Sequence, residues 1–245
     1  MRFYNRIFYF GLVILFSCKN LKSREFEVLS DEAWKKDESK LALEYIEEAI
    51  RTNQKEGRLH LKKSLYLQAE KRYKEALNSL EIAILNSEVS DLKYSLKAKI
   101  YFHLNELDSS FFYHDLAIKT AKKPEKALIS RAETSFKLKQ YNNALQDVSK
   151  SIELNSRNLS AYFLRGDIFL NGLQKSENAI GDFSYIINSD SKLKKEYAEI
   201  TVLALTMRGI AYFKLEETDL ACLDWKNALD KGNEEAKGLI EDFCK

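Results

Sequence analysis

Residues 125–158 read EKALISRAETSFKLKQYNNALQDVSKSIELNSRN, and this 34-residue stretch decides the fold. Four other segments align with it at the same step, beginning at Ser23, Gly57, Asp91 and Leu159. The eighth place of each segment holds a small residue: Ser30, Ser64, Ala98, Ala132 and Gly166. In four segments the twentieth place is also small (Ala42, Ala76, Ser110, Ala144) and the twenty-eighth is isoleucine (Ile50, Ile84, Ile118, Ile152). A fixed period of this length predicts an array of repeated helical units.

The small residues at the eighth and twentieth places are a packing requirement. Two helices can approach to about 8–10 Å between axes only where the side chains at the contact leave room. Each unit is therefore predicted to be a pair of antiparallel helices, and the chain to be all-α.

The pattern resembles the tetratricopeptide-repeat (TPR) family from about residue 23 to residue 235. The clearest unit carries the resemblance at Ala127, Leu128, Arg131, Ala132, Phe136, Leu138, Tyr141, Ala144, Leu145, Ser151 and Ile152. The resemblance implies a right-handed superhelical solenoid of antiparallel helix pairs that binds a protein or peptide in its concave groove.

The repeats differ in regularity. The units are a degenerate one at 23–56, then 57–90, 91–124, 125–158, 159–193 and 202–235. The polar stretch 35–40 predicts a short, fraying first helix, and the fifth unit has one extra residue near Gly172. Residues 194–201 are additional and suit a lengthened helix. Helix ends are expected to rely on Asn, Ser and Gly, and Ala236, Leu239, Ile240 and Phe243 predict a C-terminal capping helix at 234–243.

The N-terminus resembles a bacterial lipoprotein signal. Arg2 and Arg6 precede a mostly apolar run at 7–16, and Ser17 and Cys18 follow it. The run is too short for a hydrocarbon core that needs roughly 20 residues. We therefore expect residues 1–17 to be a signal peptide, Cys18 to be lipidated and residues 18–25 to be a tether. The alternatives are an ordinary cleaved signal, or an amphipathic anchor in which Cys18 is incidental.

Charge and sorting signals bear on location and partners. Lys19 follows the cysteine, which in well-studied lipoproteins favours the outer membrane, and surface display remains open. Without Arg2 and Arg6 the chain has 37 basic and 37 acidic side chains. This balance predicts no nucleic-acid partner.

Cys222 and Cys244 are the cysteines that follow the signal. They lie on either side of the turn at Gly232, so antiparallel packing of two helices would bring them level. An exported protein favours a disulfide between them. The alternative is two separate buried thiols.

Charged residues recur at fixed places and predict ion pairs within repeats. The seventh place is basic from the second unit onward, and where it is arginine the twenty-third place is aspartate. The pairs are Arg131 with Asp147, Arg165 with Asp182, and Arg208 with Asp224. An arginine fork suits a bidentate carboxylate contact, so we interpret these pairs as structural.

The sequence contains no constellation typical of an enzyme. We find no phosphate-binding glycine loop, nucleophile elbow or paired zinc-ligand histidines. His60 and His114 occupy core places and His103 a surface stripe. The sequence therefore predicts no catalysis, metal, cofactor or small-molecule substrate.

Helical phase locates a candidate binding groove. Places 5, 9 and 13 of each first helix point about 100–180° away from the core stripe. The groove residues predicted in this way are Leu61, Leu65, Lys99, His103, Ile129, Glu133, Phe163, Asp167, Ile210 and Lys214. Phe102, Phe136 and Phe213 lie on the border at place 12, where they either line the groove or pack in the core. Apolar and acidic residues stand where co-chaperone members of the family carry a carboxylate clamp, which argues against that ligand.

The function predicted from these features is a lipid-anchored adaptor or scaffold. It would face the periplasm from the outer membrane and bind a protein or peptide during envelope assembly. Two alternatives are an intracellular TPR co-chaperone and a regulatory subunit of an envelope enzyme.

Overall fold

The computed structural model describes residues 21–88 and 90–244. The predicted signal peptide and Cys18 lie outside these ranges. Within them the regular secondary structure is helical throughout, in agreement with the predicted all-α class. The chain divides between Tyr113 and His114 into two compact units.

The first unit contains five helices in its described residues and the start of a sixth. They are α1 (21–35), α2 (Ser39–Thr52), α3 (Gly57–Ala69), α4 (Tyr73–Leu85), α5 (Asp91–His103) and α6 (Leu107–Thr120), in which the boundary falls. Helix α3 packs against both α2 and α4. Their apolar faces form one core cluster that includes Ile46, Leu59, Leu67 and Leu80.

The second unit repeats this arrangement with two irregular elements. Its helices are α7 (Glu125–Lys137), α8 (Tyr141–Leu154), α9 (Leu159–Asp167), α10 (Ser176–Ile187), α11 (Ser191–Glu196), α12 (Ala198–Lys214), α13 (Thr218–Asp230) and α14 (Glu235–Phe243). Helix α9 continues into a single π-helical turn at Ile168–Gly172. Helix pairs α7–α8, α9–α10 and α12–α13 pack together, and α14 packs on α13.

The small residues lie where the paired helices approach most closely. Ala76, Ala132 and Ala144 are fully buried, and the Ser64 hydroxyl donates to the Ala76 carbonyl at 2.8 Å. A Cβ on Gly166 would lie 2.7 Å from Cε1 of Phe183, closer than real contacts allow. The eighth place therefore stays small because the second helix of the same repeat already fills the space.

In the turn that follows the first helix of each repeat, one residue adopts the left-handed conformation. These residues are Asp37, Lys71, Asn105, Lys139, Gln174 and Glu216, with φ between 55° and 65°. Backbone bonds offset the cost of about 1–2 kcal/mol: Arg72 N–H donates to the Leu67 carbonyl at 2.8 Å, and Lys71 N–H to that of Gln68 at 3.0 Å. The predicted reliance on Asn, Ser and Gly holds at Asn105 but is wrong for the other five turns. It holds for second helices, whose C-caps include Asn53, Asn86, Asn155 and Asn188.

The predictions of a tether at 18–25 and of a short first helix are wrong for the described part of the chain. Helix α1 already includes residues 21–25, and the buried Ser23 hydroxyl donates to the Ala49 carbonyl at 3.0 Å. The Lys62 ammonium binds Glu27 and Asp31 of α1 at 2.7 and 2.8 Å. These contacts hold α1 against the rest of the unit, and the polar stretch 35–40 forms the end of α1, a turn and the start of α2.

Residues 194–201 form a lengthened helix only in part. Helix α12 spans 17 residues, but it begins at Ala198 after a break at Tyr197. The short helix α11 precedes it and is capped by Asp190, whose carboxylate accepts from the Lys192 and Leu193 N–H groups at 3.0 Å. None of the described helices combines the length and apolarity needed to cross a bilayer.

Candidate partner-binding surface

Three adjacent first helices of the second unit carry a repeated pair of side chains. Helix α9 contacts both α7 and α12. An apolar residue is followed four residues later by a charged one on each helix: Ile129 and Glu133, Phe163 and Asp167, Ile210 and Lys214. Residues four apart lie on one face of a helix. We call these six residues the α7–α9–α12 stripe; the pairs on α7 and α9 are at places 5 and 9 of their repeats, whereas the pair on α12 is one helical turn later, at places 9 and 13.

The apolar members of the stripe are half-buried and rest on the core. Ile129, Phe163 and Ile210 all pack against the main core cluster of the second unit, and the Phe163 ring lies 5.7 Å from that of Phe183. Glu133 and Lys214 are exposed. The stripe therefore presents partly exposed apolar side chains beside charged groups. The core residues beneath the apolar side chains hold them in place.

The extra residue of the fifth repeat lies next to this stripe. It is accommodated by the π-helical turn at Ile168–Gly172, which directly follows Asp167. The Asn171 amide donates to the Asp167 carboxylate at 2.6 Å. Gly172 allows Tyr141 to approach, since a Cβ there would lie 2.7 Å from the tyrosine ring. Single π-turns of this kind are frequent at functional sites.

The other predicted groove residues lie in the first unit. Leu65 is 43% exposed and Leu61 packs against the core of that unit. Lys99 and His103 are exposed, and the His103 ring stacks on Tyr73 at 4.5 Å between centroids. These four residues belong to the first unit and are not members of the α7–α9–α12 stripe.

The aromatic residues at place 12 pack against neighbours. Phe136 is half-buried on the core and lies 5.6 Å from the Tyr141 ring. Phe213 contacts the rings of Phe243 at 4.6 Å and Trp225 at 5.9 Å. Both rings therefore pack against other aromatic side chains, and Phe213 remains 37% exposed.

The three arginine–aspartate pairs are present and bidentate. The Nε and Nη2 atoms of each arginine lie 2.6–2.8 Å from the carboxylate oxygens, in Arg131–Asp147, Arg165–Asp182 and Arg208–Asp224. Burial raises the pKa of the Asp182 carboxyl, although Arg165 opposes this. Desolvation of the buried charges offsets much of the attraction between arginine and aspartate. We therefore interpret the pairs as setting the register of the two helices of a repeat rather than as a large source of stability.

The same basic place also reaches back to the preceding repeat, a contact that was not predicted from the sequence. Lys63 binds Glu47 at 2.7 Å and Lys97 binds Glu81 at 3.0 Å. Arg131 Nη1 binds Asp115 at 3.0 Å, and Arg208 donates to the Ser184 hydroxyl at 3.0 Å. In the first three pairs an acidic residue precedes the basic residue by sixteen positions. This spacing is the sequence pattern from which the contact could have been predicted.

The histidines do not form a cluster. His60 is buried with Nε2 2.9 Å from the Gln54 carbonyl, and His103 stacks on the surface. Among the described residues, no group of three or more His, Cys, Asp and Glu side chains is arranged to hold a metal ion.

His114 gives the second unit a pH-dependent stability. It is 2% exposed, and its Nδ1 has no hydrogen-bond partner among the described residues. Burial, with Arg131 nearby, lowers the pKa of His114 to about 4. The unfolded chain, with a pKa near 6.5, binds the proton first, so stability present above that pH is lost as pH falls toward 4.

We expect the free energy of unfolding to fall by about 2 kcal/mol between pH 7 and pH 5 because of His114. Urea titrations at both pH values measure this, and His114→Leu should remove that part of the pH dependence. Ser135→Ala is the control, since this buried hydroxyl also has no partner among the described residues but does not titrate in this range. An unchanged slope in His114→Leu would contradict the assignment.

Comparison with known proteins identifies the fold. No family model matches the chain, and neither does any curated protein sequence. Among solved structures, PilW, described as a widely conserved type IV pilus biogenesis factor, is 18% identical with a TM-score of 0.74, covering 89% of this chain and 98% of that one. PilF of Pseudomonas aeruginosa is 12% identical with a TM-score of 0.69, covering 91% and 99%. YrrB, described as a TPR protein with an unusual peptide-binding site, is 14% identical with a TM-score of 0.54, covering 71% and 90%.

The protein therefore has the fold of tetratricopeptide-repeat proteins. The similarity extends over nearly the whole length of the PilW and PilF structures, so the likeness is to their entire arrays and not to a few repeats.

Proposed function

We propose that this protein is a lipid-anchored TPR scaffold that binds a partner protein or peptide through the α7–α9–α12 stripe. It acts without catalysis, facing the periplasm from the outer membrane, in assembly of the cell envelope. The observation that carries the proposal is the stripe itself, where three adjacent helices each present an apolar and a charged residue four apart. An extended or helical peptide with a few apolar anchors matches such a surface.

Two of the compared proteins support the class of partner and process. YrrB is described by its peptide-binding site, and PilW by its part in the biogenesis of a surface appendage. The length of PilW is matched almost completely, which favours a role in building an envelope structure over a role as a co-chaperone.

Three features support export and anchoring. The first is the order of Arg2, Arg6, the apolar run and Cys18. The second is the disulfide between Cys222 and Cys244, since disulfides persist in oxidising compartments. The third is the buried Ser23, which lies five residues after Cys18 and hence within about 17 Å of it along the chain. A lipid on Cys18 would hold the first repeat at the membrane surface.

Replacing the proposed lipidation site should release the protein. We expect Cys18→Ser to move the protein from the membrane to the soluble fraction, because a cleaved, acylated N-terminal cysteine is its only proposed anchor. Mass spectrometry of the wild-type N-terminus should find an acylated Cys18, and Ser17→Thr, which retains the cysteine, should stay in the membrane fraction. A mature N-terminus at another residue would contradict the anchor.

Removing two apolar members of the stripe should abolish partner capture. We expect Ile129→Ser combined with Phe163→Ser to lose the proteins that cross-link to the wild type in intact membranes. Thermal melts should show that the array stays folded, because both side chains are only half-buried.

The matched control replaces two exposed apolar residues on second helices of the same unit, Leu154→Ser with Leu220→Ser. This variant should capture partners as the wild type does. Equal loss in both variants, or undiminished capture by the stripe variant, would refute the stripe as the binding surface.

A further inference from the structure

The segment that breaks the repeat period builds a surface that the stripe does not use. Helix α11 and the first turns of α12 arise from the additional residues near 191–201. Two adjoining depressions of about 440 and 390 Å³ lie against this segment. None of the six stripe residues lines either depression.

Both depressions have an apolar floor. Ile187, Val202 and the buried Leu205 line the first, and Val202 and the 40% exposed Leu203 line the second. The two share Ala198, Val202 and Lys231, so they adjoin along the first turns of α12. A segment lying across the shared residues can place one apolar side chain in each depression.

Two ammonium groups border this floor. Lys231 lines both depressions and Lys194 lines the first. Among the described residues, neither lysine's ammonium group has a hydrogen-bonding or ion-pair partner. Arg208 also reaches the first depression, but its guanidinium is held by Asp224 and Ser184. Glu199 lies at the edge of the second depression, so the unpaired positive charge is concentrated around the first.

We propose that this surface, the α11–α12 ledge, binds an acidic peptide segment of a partner protein. One large apolar side chain occupies each depression, and a carboxylate between them pairs with Lys231. A second carboxylate at the end near α11 pairs with Lys194. The depressions are open to solvent rather than enclosed, which suits a peptide and not a small molecule whose surface must be largely buried.

Selection from a phage-displayed library of random linear peptides tests the ledge, with the purified protein as bait. The selected peptides should share an Asp or Glu flanked by large apolar residues. Fluorescence polarisation of one labelled, selected peptide then gives the affinity. Lys194→Gln combined with Lys231→Gln should weaken binding at least tenfold, as should Ala198→Trp, which places a large ring where the two depressions meet without changing charge.

Two control variants distinguish binding at the ledge from a general charge effect and from binding at the stripe. Lys192→Gln combined with Lys195→Gln removes the same charge from exposed residues of α11 that do not line the depressions, and should leave the affinity unchanged. The Ile129→Ser, Phe163→Ser variant should also bind the peptide normally, so failure of the stripe and failure of the ledge give different results. Failure to select acidic peptides, or equal weakening by both lysine pairs, would overturn the proposal.

Discussion

Trp225→Ala is expected to lower the free energy of unfolding of the second unit by about 3–5 kcal/mol. The indole is 1% exposed and its Nε1 donates to the Thr206 carbonyl at 3.2 Å. It also lies 5.9 Å from the Phe213 ring and 6.1 Å from that of Phe243. Truncation leaves a cavity where α12, α13 and the capping helix α14 meet.

Urea unfolding followed by circular dichroism measures this loss. Leu223→Ala is the matched control, because Leu223 is on the same helix but 56% exposed, and it should cost about 0.5 kcal/mol or less. A similar cost for the two variants would show that Trp225 is not the centre of this core.

Gly209 provides a second check on the same contact. A Cβ at this position would lie 2.7 Å from Cδ1 of Trp225, so Gly209→Ala should cost about 1–3 kcal/mol in the wild type. In the Trp225→Ala background the same change should cost much less, because the clash is gone. Additive effects would contradict direct contact, since coupling is expected only between neighbours.

The contacts within one repeat were predictable from the sequence. Gly166 and Gly209 stand at the place where helices approach, and the structure brings the rings of Phe183 and Trp225 against them. The bidentate Arg131–Asp147 pair follows from two places of a single repeat. Such contacts depend only on the period and on helical phase, which the sequence displays directly.

Features set by the backbone or by a neighbouring repeat were not predictable in the same way. Lys71, Lys139 and Glu216 adopt the left-handed conformation, although none of them is a glycine or an asparagine, the residues that favour it. Their conformation is imposed by the two helices that the turn must join. Likewise, the ion pairs of Glu27 and Asp31 with Lys62 were not predicted, because they join helices of two different repeats.

The candidate binding surface was likewise predictable from the sequence only in part. Helical phase correctly separated the half-buried Phe163 from the buried Tyr162 beside it. Thr206 is at place 5 of its unit, the place of Ile129 and Phe163 in theirs, yet it is buried, and the Asn233 amide donates to its hydroxyl at 2.8 Å. The ledge formed by α11 and α12 could not be anticipated, since the additional residues 194–201 follow no repeat.

Reduction of the Cys222–Cys244 disulfide is expected to destabilise the C-terminal end of the array by about 3 kcal/mol. The two Cα atoms lie 5.7 Å apart and the bond joins residues 22 apart, tying the end of α14 to α13. Closing a loop of this length removes conformational entropy from the unfolded chain, and this accounts for the expected size. Reduction should also loosen Phe243, whose ring packs against that of Phe213 in a tilted arrangement.

The two tryptophans make this measurable for each unit separately. Trp34 stacks on Tyr66 in the first unit, whereas Trp225 lies close to the disulfide in the second. In a Trp34→Phe background, Trp225 fluorescence during urea unfolding should shift to lower urea when the protein is reduced. The oxidised Cys222→Ser, Cys244→Ser variant should unfold like the reduced protein. Free thiols in the oxidised, denatured wild type, or identical unfolding with and without reductant, would show that the bridge does not stabilise the cap.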